Sequence, residues 1–552
     1  MIENLKSLKI NIMGKSSIVD SGISLLDLAK DYQDNFKYPI LLAKVGNEYK
    51  ELSSKVTSNK DIEFVDLKDP RGNQVYINSL VFLLSYATND LFGDNARVEV
   101  KHSIDKGLYI STSFELTESK TNEIKEKMLE IANKDLTIQK CRVDRKEAIE
   151  YFTKRKIMST ADMLKYEVSS TVTLYKLGGI YDYFFSLMPV STKCLTYFDL
   201  HFLNNHGLVL QFPTIYTDEI KKYVHHEKLF NVFRDYQNWA YMLNMSNVPG
   251  LNKIVADGNA DDLIRINETI QSANLLYIAK AFYDKKKPKI VLIAGPSSSG
   301  KTTTCRKLSM YLRCFGLKPI EISMDNYFVD REKSPKDENG EYDFERIECL
   351  DLDAFEKDIK DLIDGKTIKL SEYNFVKGRR ESMDEETSLD ENGVIIIEGI
   401  HALSDQILTH IDKSKKFRIY ISPLTILNMD NHNKIATTDN RLLRRIVRDN
   451  RTRGYKVEET LKIWKKVRQG EEKYIFVNQD AADYVFNTSF VYELGVLKTY
   501  AEPLLYSVKI DSPYYDEAIR LINMLKPFLP ITSDAIPDDS ILREFIGGSC
   551  FK

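Results

Sequence analysis

Tryptophan is nearly missing from this chain, with two in 552 residues. Cysteine is scarce as well. The six cysteines (Cys141, Cys194, Cys305, Cys314, Cys349 and Cys550) are scattered and include no CxxC pair. That pattern excludes a zinc ribbon and argues against a disulfide framework, so reduced thiols and a cytoplasmic location are expected. Long apolar runs are absent too. IVLIAG and VIIIEGI have the length of strands and fall far short of the ~20 residues of a membrane helix. The opening MIENLKSLKINIMG has no basic segment followed by an apolar run, so no signal peptide is expected. Neither sign of charge dominates: 78 Lys and Arg stand against 81 Asp and Glu, a net charge of −3. Such a balance gives no general field for nucleic acid or an anionic membrane, and any contact of that kind would be local.

The length predicts roughly three or four domains. Residues 4–13 alternate as a strand, SGISLLDLAKDYQ reads as a helix capped near Ser21 or Ser24, and short strands follow around PILLAKVG, EYKELS and DIEFVDL. Residues 1–68 are thus expected to form a small α+β unit. DPRGN at 69–73 reads as a turn cluster and a boundary. From Ile77 to Gly93 the pattern is helical. Strands around ARVEVKHS and GLYISTSF and helices over about 118–133 and 145–155 then complete a second α+β unit, over 69–215. Residues 216–284 read as a helical connector. From 285 to 510 apolar strands (KIVLIA, KPIEISMD, GVIIIEGI, KFRIYISP, ADYVFNTS) alternate with helical segments, which predicts an α/β fold with a doubly wound parallel sheet. Residues 511–552 read as a final helix and tail. No repeats or low-complexity tracts interrupt the chain.

Gly295-Pro-Ser297-Ser298-Ser299-Gly300-Lys301-Thr302 fits GxxxxGK[ST] and lies between a strand and a helix, the setting that the phosphate-binding loop requires. Glycines let the backbone curl its N–H groups toward phosphate, and the helix N-terminus adds positive potential. Lys301 would reach the β- and γ-oxygens of ATP, and Thr302 would offer its hydroxyl to Mg²⁺. Asp325 ends the next strand, where it can accept the proton of an attacking hydroxyl or cap a helix. Tyr327 and Phe328 line an acceptor pocket or pack in the core. Glu398 closes VIIIEGI and either holds Mg²⁺ or serves a structural role. Arg441, Arg444 or Arg445, and Arg448 share a helix face and either close over phosphates or face solvent or RNA.

GPSSSGKTT, SMDNYF, YDFE, EYNF, IIIEGIHAL, DNRLLRRIVRDNRTRG and VYELGVLKTYAEPLL together resemble the uridine kinase and phosphoribulokinase family of P-loop kinases, in that family's order over about 220 residues. The resemblance implies Asp325 as catalytic base, with Thr302 and Glu398 around Mg²⁺ and Thr303 among the ATP contacts. It implies Phe328, Glu345 and Tyr373, with Tyr327 and Arg444, around a nucleoside acceptor. Arg448, Arg451 and Arg453 would form a lid. Two positions depart from uridine–cytidine kinases, which carry Asp where Glu345 stands and a base-reading His where Lys377-Gly378-Arg379 stands. The identity of the base is therefore open.

The first 215 residues resemble the amino-terminal half of threonyl-tRNA synthetases. Residues 1–68 are similar to a TGS domain, a β-grasp module, and 69–215 to the domain that carries the editing site. Asn78 and Phe82 occupy the two histidine positions of its HxxxH motif, and Phe185 and Pro189 replace its Cys and further His. With these four positions replaced, no hydrolytic editing is expected. His102, His201, His206, His225 and His226 show no metal-binding spacing. The reading that results is an ATP-dependent nucleoside kinase, uridine being the first-choice acceptor. The competing readings are a kinase of a sugar phosphate, with Arg379 and Arg380 for its phosphate, and an RNA-binding protein switched by ATP. RNA contact through the front half and a homo-oligomer are further expectations.

Overall fold

A computed structural model describes residues 7–285, 288–338, 340–374 and 377–551. The first three residues of the strand expected at 4–13, and Phe375 of EYNF, lie outside them. The opening unit is a five-stranded sheet in the order Lys15–Asp20, Ser7–Ile12, Ile62–Val65, Leu42–Val45, Glu48–Glu51. Leu8, Ile10 and Ile12 alternate inward, as a half-buried strand should. The helix Leu25–Lys30 starts at Ser24, whose hydroxyl accepts from the Asp27 N–H.

Residues 69–73 do not form the turn read from DPRGN. Asp69 instead caps the helix Pro70–Phe92, its carboxylate accepting from the N–H groups of Arg71 and Gly72, with Pro70 in the first turn. A proline and a glycine that signal a turn in isolation are both tolerated at a helix start. That helix packs on an antiparallel sheet ordered Asp199–Asn204, Gly207–Gln211, Gly107–Thr112, Val98–Ile104. A three-stranded sheet (Ile138–Asp144, Thr171–Leu177, Ile180–Asp182) follows, and the helices Glu227–Met242, Val248–Ala256 and Ala260–Asp284 lead onward. No helix among the described residues is long and apolar enough to cross a membrane.

The carboxy-terminal half holds a five-stranded sheet, all parallel, ordered Lys318–Ser323, Gly393–Glu398, Ile290–Ala294, Lys416–Ser422, Tyr484–Asn487. Its central strand, Ile290–Ala294, is buried along its whole length, which explains its unbroken apolar sequence. Register sets the carboxyl ends side by side: Ile293 and Ser323 both flank Glu398. The hairpin Ile368–Asn374/Arg379–Thr387 was not anticipated. Its second strand is almost wholly charged and exposed, so it lacks the apolar alternation that marks a strand.

The front half and the kinase-like half share one apolar cluster, running from Ala148 and Phe152 through Leu275 to Ile541 and Phe545. A loop between the fourth strand and the next helix seals the junction. Asn428 donates to the carbonyls of Val100 (2.8 Å) and Lys101 (3.0 Å), Asn433 to that of Tyr183 (2.8 Å), and the Phe185 N–H donates to Asn433. His432 Nδ1 meets Asp182 at 2.6 Å and Nε2 faces the Val98 carbonyl. Phe82 packs against Phe184.

Burial alone would discharge His432, but Asp182 beside it, with Asp430 near, holds its pKa up at about 9. A raised histidine stabilises the folded state fully below its unfolded value near 6.5 and loses that contribution as pH rises through about 9. Asp430, whose pKa is raised by burial, acts in the same sense at lower pH. Thermal unfolding from pH 6.5 to 9.5 should therefore show a loss of about 1–3 kcal/mol in the wild type, which His432→Gln should not show. Parallel pH profiles for the two proteins would refute the charged pair.

Candidate active site

The loop 295–300 joins the central strand to the helix Lys301–Cys314. Gly300 sits at φ +82°, where a Cβ would also lie 2.5 Å from Ile541 Cγ2, so only glycine fits. Turning the loop's N–H groups inward turns its carbonyls outward, and each outward carbonyl has a donor. Lys301 Nζ takes those of Gly295 (3.1 Å) and Pro296 (3.3 Å). Arg441 Nε takes that of Ser297 (2.9 Å), Arg444 reaches that of Ser298 (3.5 Å), and Thr488 Oγ1 donates to that of Ser299 (2.7 Å). Arg441 is 1% exposed and Arg444 0%. Each is matched by a buried carboxylate, Glu471 and Glu493 respectively. Arg468 also binds Glu471, at 2.7 Å.

The helix arginines thus divide by face. Arg444, expected at the acceptor, lies under the loop, because its partner Glu493 and the Thr488 carbonyl (2.8 Å) are both on that side. Arg445 turns to the site and donates to Ser297 Oγ at 2.8 Å. Arg448 and Arg453 share Asp449. Arg451, expected on the nucleotide, instead donates to the carbonyls of Glu544 (2.9 Å) and Phe545 (3.2 Å) in the carboxy-terminal tail.

Asp325, Glu398, Glu345 and Lys301 come together in one cluster. Asp325 opens onto the cleft from a short 3₁₀ turn after its strand. The protein around it raises its carboxyl pKa, while Lys301 and Arg453 pull it down. Glu398 is buried, and its pKa is raised by that burial and by Asp325. It accepts from Ser323 Oγ at 2.9 Å and from Thr302 Oγ1 at 3.4 Å. Glu345 is pushed up to about 7 by burial and by Glu471, with Arg445 and Lys301 opposing. Phe328 and Tyr373 meet edge to face, 5.7 Å between centroids. Tyr327 does not join them. It is core, its hydroxyl bound to Asp358 at 3.0 Å and its ring set against Phe355.

Sequence reasoning missed the carboxylates that occupy the loop's own donors. Ser297 N–H donates to Glu471 (3.0 Å), and Thr303 donates to Glu544 through Oγ1 (2.7 Å) and N–H (3.4 Å). Asp539 pairs with the buried Lys307 at 2.8 Å, fixing the tail on the same helix. No local pattern flags these residues, since they come from segments more than 170 positions away. The site fits a polyphosphate: the buried hydroxyls of Ser298, Ser299 and Thr304 have no partner among the described residues, and cations ring the loop. No group of three or more His, Cys, Asp or Glu among the described residues is arranged as a metal cage. A divalent ion here would rest on Thr302, Glu398 and phosphate oxygens.

Residues 290–492 match the model of the phosphoribulokinase / uridine kinase family. The uridine kinase of Ligilactobacillus salivarius is 29% identical over 182 residues, 33% of this chain and 76% of that protein. A threonine–tRNA ligase of Sulfurihydrogenibium sp. is 25% identical over 169 residues, 30% of this chain but 26% of the ligase. The chain therefore spans about a quarter of the length of that ligase. Among solved structures, a possible uridine kinase from Bacillus stearothermophilus superposes with a TM-score of 0.28 at 18% identity, covering 39% of this chain and 98% of that one. With the phosphate loop, the strand-end carboxylates and the arginine helix in place, residues 290–492 carry a P-loop kinase domain that is similar to the phosphoribulokinase / uridine kinase family.

Proposed function

We propose that the chain is an ATP-dependent nucleoside kinase that transfers the γ-phosphoryl group to the 5′-hydroxyl of a ribonucleoside, with uridine the first choice. The observation that carries this reading is the convergence on one cleft of Asp325, Lys301 and Glu345, with Phe328 and Tyr373 beside them. Asp325 takes the proton of the acceptor hydroxyl. Its raised pKa brings it closer to that of a base working near neutrality. Lys301, Arg445 and Arg453 stabilise charge on the transferred group. Thr302 and Glu398 would hold Mg²⁺, which would supply neutralisation of the polyphosphate. Glu345 offers two lone-pair oxygens to a cis diol. The sugar-phosphate alternative would use Arg379, which leans on Glu381, and Arg380, which is paired with Asp351 (2.9 Å) while its Nη1 has no partner among the described residues.

Lys301→Ala should reduce turnover by at least about 10²-fold through loss of transition-state charge balance. Asp325→Asn should lower kcat by about 10²–10⁴ while leaving ATP affinity nearly unchanged. Collapse of ATP binding in the second variant would make Asp325 a structural or metal-binding group.

A 2′-deoxyribonucleoside should lose about 1–3 kcal/mol, or roughly 5- to 150-fold in kcat/KM, against its ribo counterpart. Because the diol needs the ionised carboxylate, KM for the ribonucleoside should fall as pH rises through about 7, the value set for Glu345. Equal rates for the two nucleosides would remove Glu345 from the acceptor site.

ATP must displace Glu544 from Thr303 to use that donor. Glu544→Ala should therefore lower KM for ATP by about 3- to 10-fold, the worth of one net hydrogen bond, with kcat little changed. A raised KM would show instead that the tail carboxylate supports the nucleotide.

A further inference from the structure

His401 has no role in the chemistry above, yet it stands three residues after Glu398, in EGIHAL, against the cleft. It is 3% exposed. Together with Asp325, Phe328, Phe344, Leu350 and Ile400 it lines a narrow cavity in front of the base. Its Nε2 is buried and has no hydrogen-bond partner among the described residues. The ring contacts the Glu345 backbone by a hydrogen bond, and with Nε2 bare that bond belongs to Nδ1. A carbonyl that takes the Nδ1 proton leaves Nε2 as an acceptor lone pair. Tyr474 supports the ring edge to face at 5.9 Å between centroids.

A polar atom left unpaired inside a protein costs about 1–3 kcal/mol, so such atoms are rare and call for a partner. Here the residue that carries the atom lines the same narrow cavity as Asp325. We propose that His401 is the residue that reads the acceptor, its Nε2 accepting a hydrogen bond from a ring N–H of the nucleoside base. The proposal rests on the nucleoside-kinase reading and narrows it. A bare acceptor suits bases that present a ring N–H, as uracil and hypoxanthine do. Burial lowers the ring's pKa to about 4, so His401 stays neutral across physiological pH and keeps that acceptor.

The test compares uridine with 3-methyluridine, and inosine with 1-methylinosine, on wild type, His401→Phe and His401→Gln. In the wild type, N-methylation should lower kcat/KM by about 10- to 100-fold. In His401→Phe the unmethylated nucleoside should fall to the level of its methylated analogue, with KM for ATP unchanged. His401→Gln, which can present an amide oxygen, should keep part of the discrimination. Unfolding temperatures of the three proteins show whether a loss is merely structural. An unchanged methylation ratio in a folded His401→Phe overturns the proposal. Should the wild type phosphorylate only sugar phosphates, the nucleoside reading fails and this base-reading role fails with it. Turnover of nucleosides with no methylation penalty sinks His401 alone.

Discussion

The carbonyls of the phosphate loop are the constraint on which the site depends. A loop that points its N–H groups at phosphate must point its C=O groups away, into protein where water does not reach. Arg441, Arg444 and Thr488 meet three of those carbonyls from below, and Lys301 meets two more. Burying two guanidinium groups is costly unless each is matched, and Glu471 and Glu493 match them. One helix, Thr437–Arg453, therefore does two jobs. One face props the loop, and the other brings Arg445 and Arg453 to the cleft. Removing one buried partner would leave a charge stranded, which costs about 3–5 kcal/mol in such pairs.

The cleft is rich in carboxylates. Asp325, Glu345 and Glu398 each have a raised pKa, with desolvation by the surrounding protein the largest cause. Glu471 and Glu544 sit on loop donors that would otherwise face an anion. Lys301, Arg445 and Arg453 offset this charge from the other side. The arrangement suits a site that is loaded with a cation and a polyphosphate together, since each neutralises what the other would leave unbalanced.

The front half is joined to this machinery by more than a linker. The loop carrying Asn428, His432 and Asn433 is bound to the backbone of Val98, Val100, Lys101 and Tyr183, and it runs directly into the arginine helix. The entry to that helix is thereby fixed by the front half. Phe82 and Phe185 belong to this front half. Phe82 is packed in the core, and the Phe185 N–H is taken by Asn433.

Sequence alone determined the parts whose information is local. The strand–loop–helix context of residues 290–314, the apolar runs of a parallel sheet and the acids at strand ends, Asp325 and Glu398, are all legible because short-range backbone geometry and burial on both faces leave a direct mark on residue order. Tertiary structure decided what depends on facing. Arg444 and Arg445 are neighbours in sequence, yet one is under the loop and the other in the cleft, because a helix turns 100° per residue and only packing says which side the loop lies on. Tyr327 and Phe328 divide in the same way between core and pocket. Glu471 and Glu544 carry no pattern of their own. Their roles arise where distant segments meet, and only the folded chain brings those segments together.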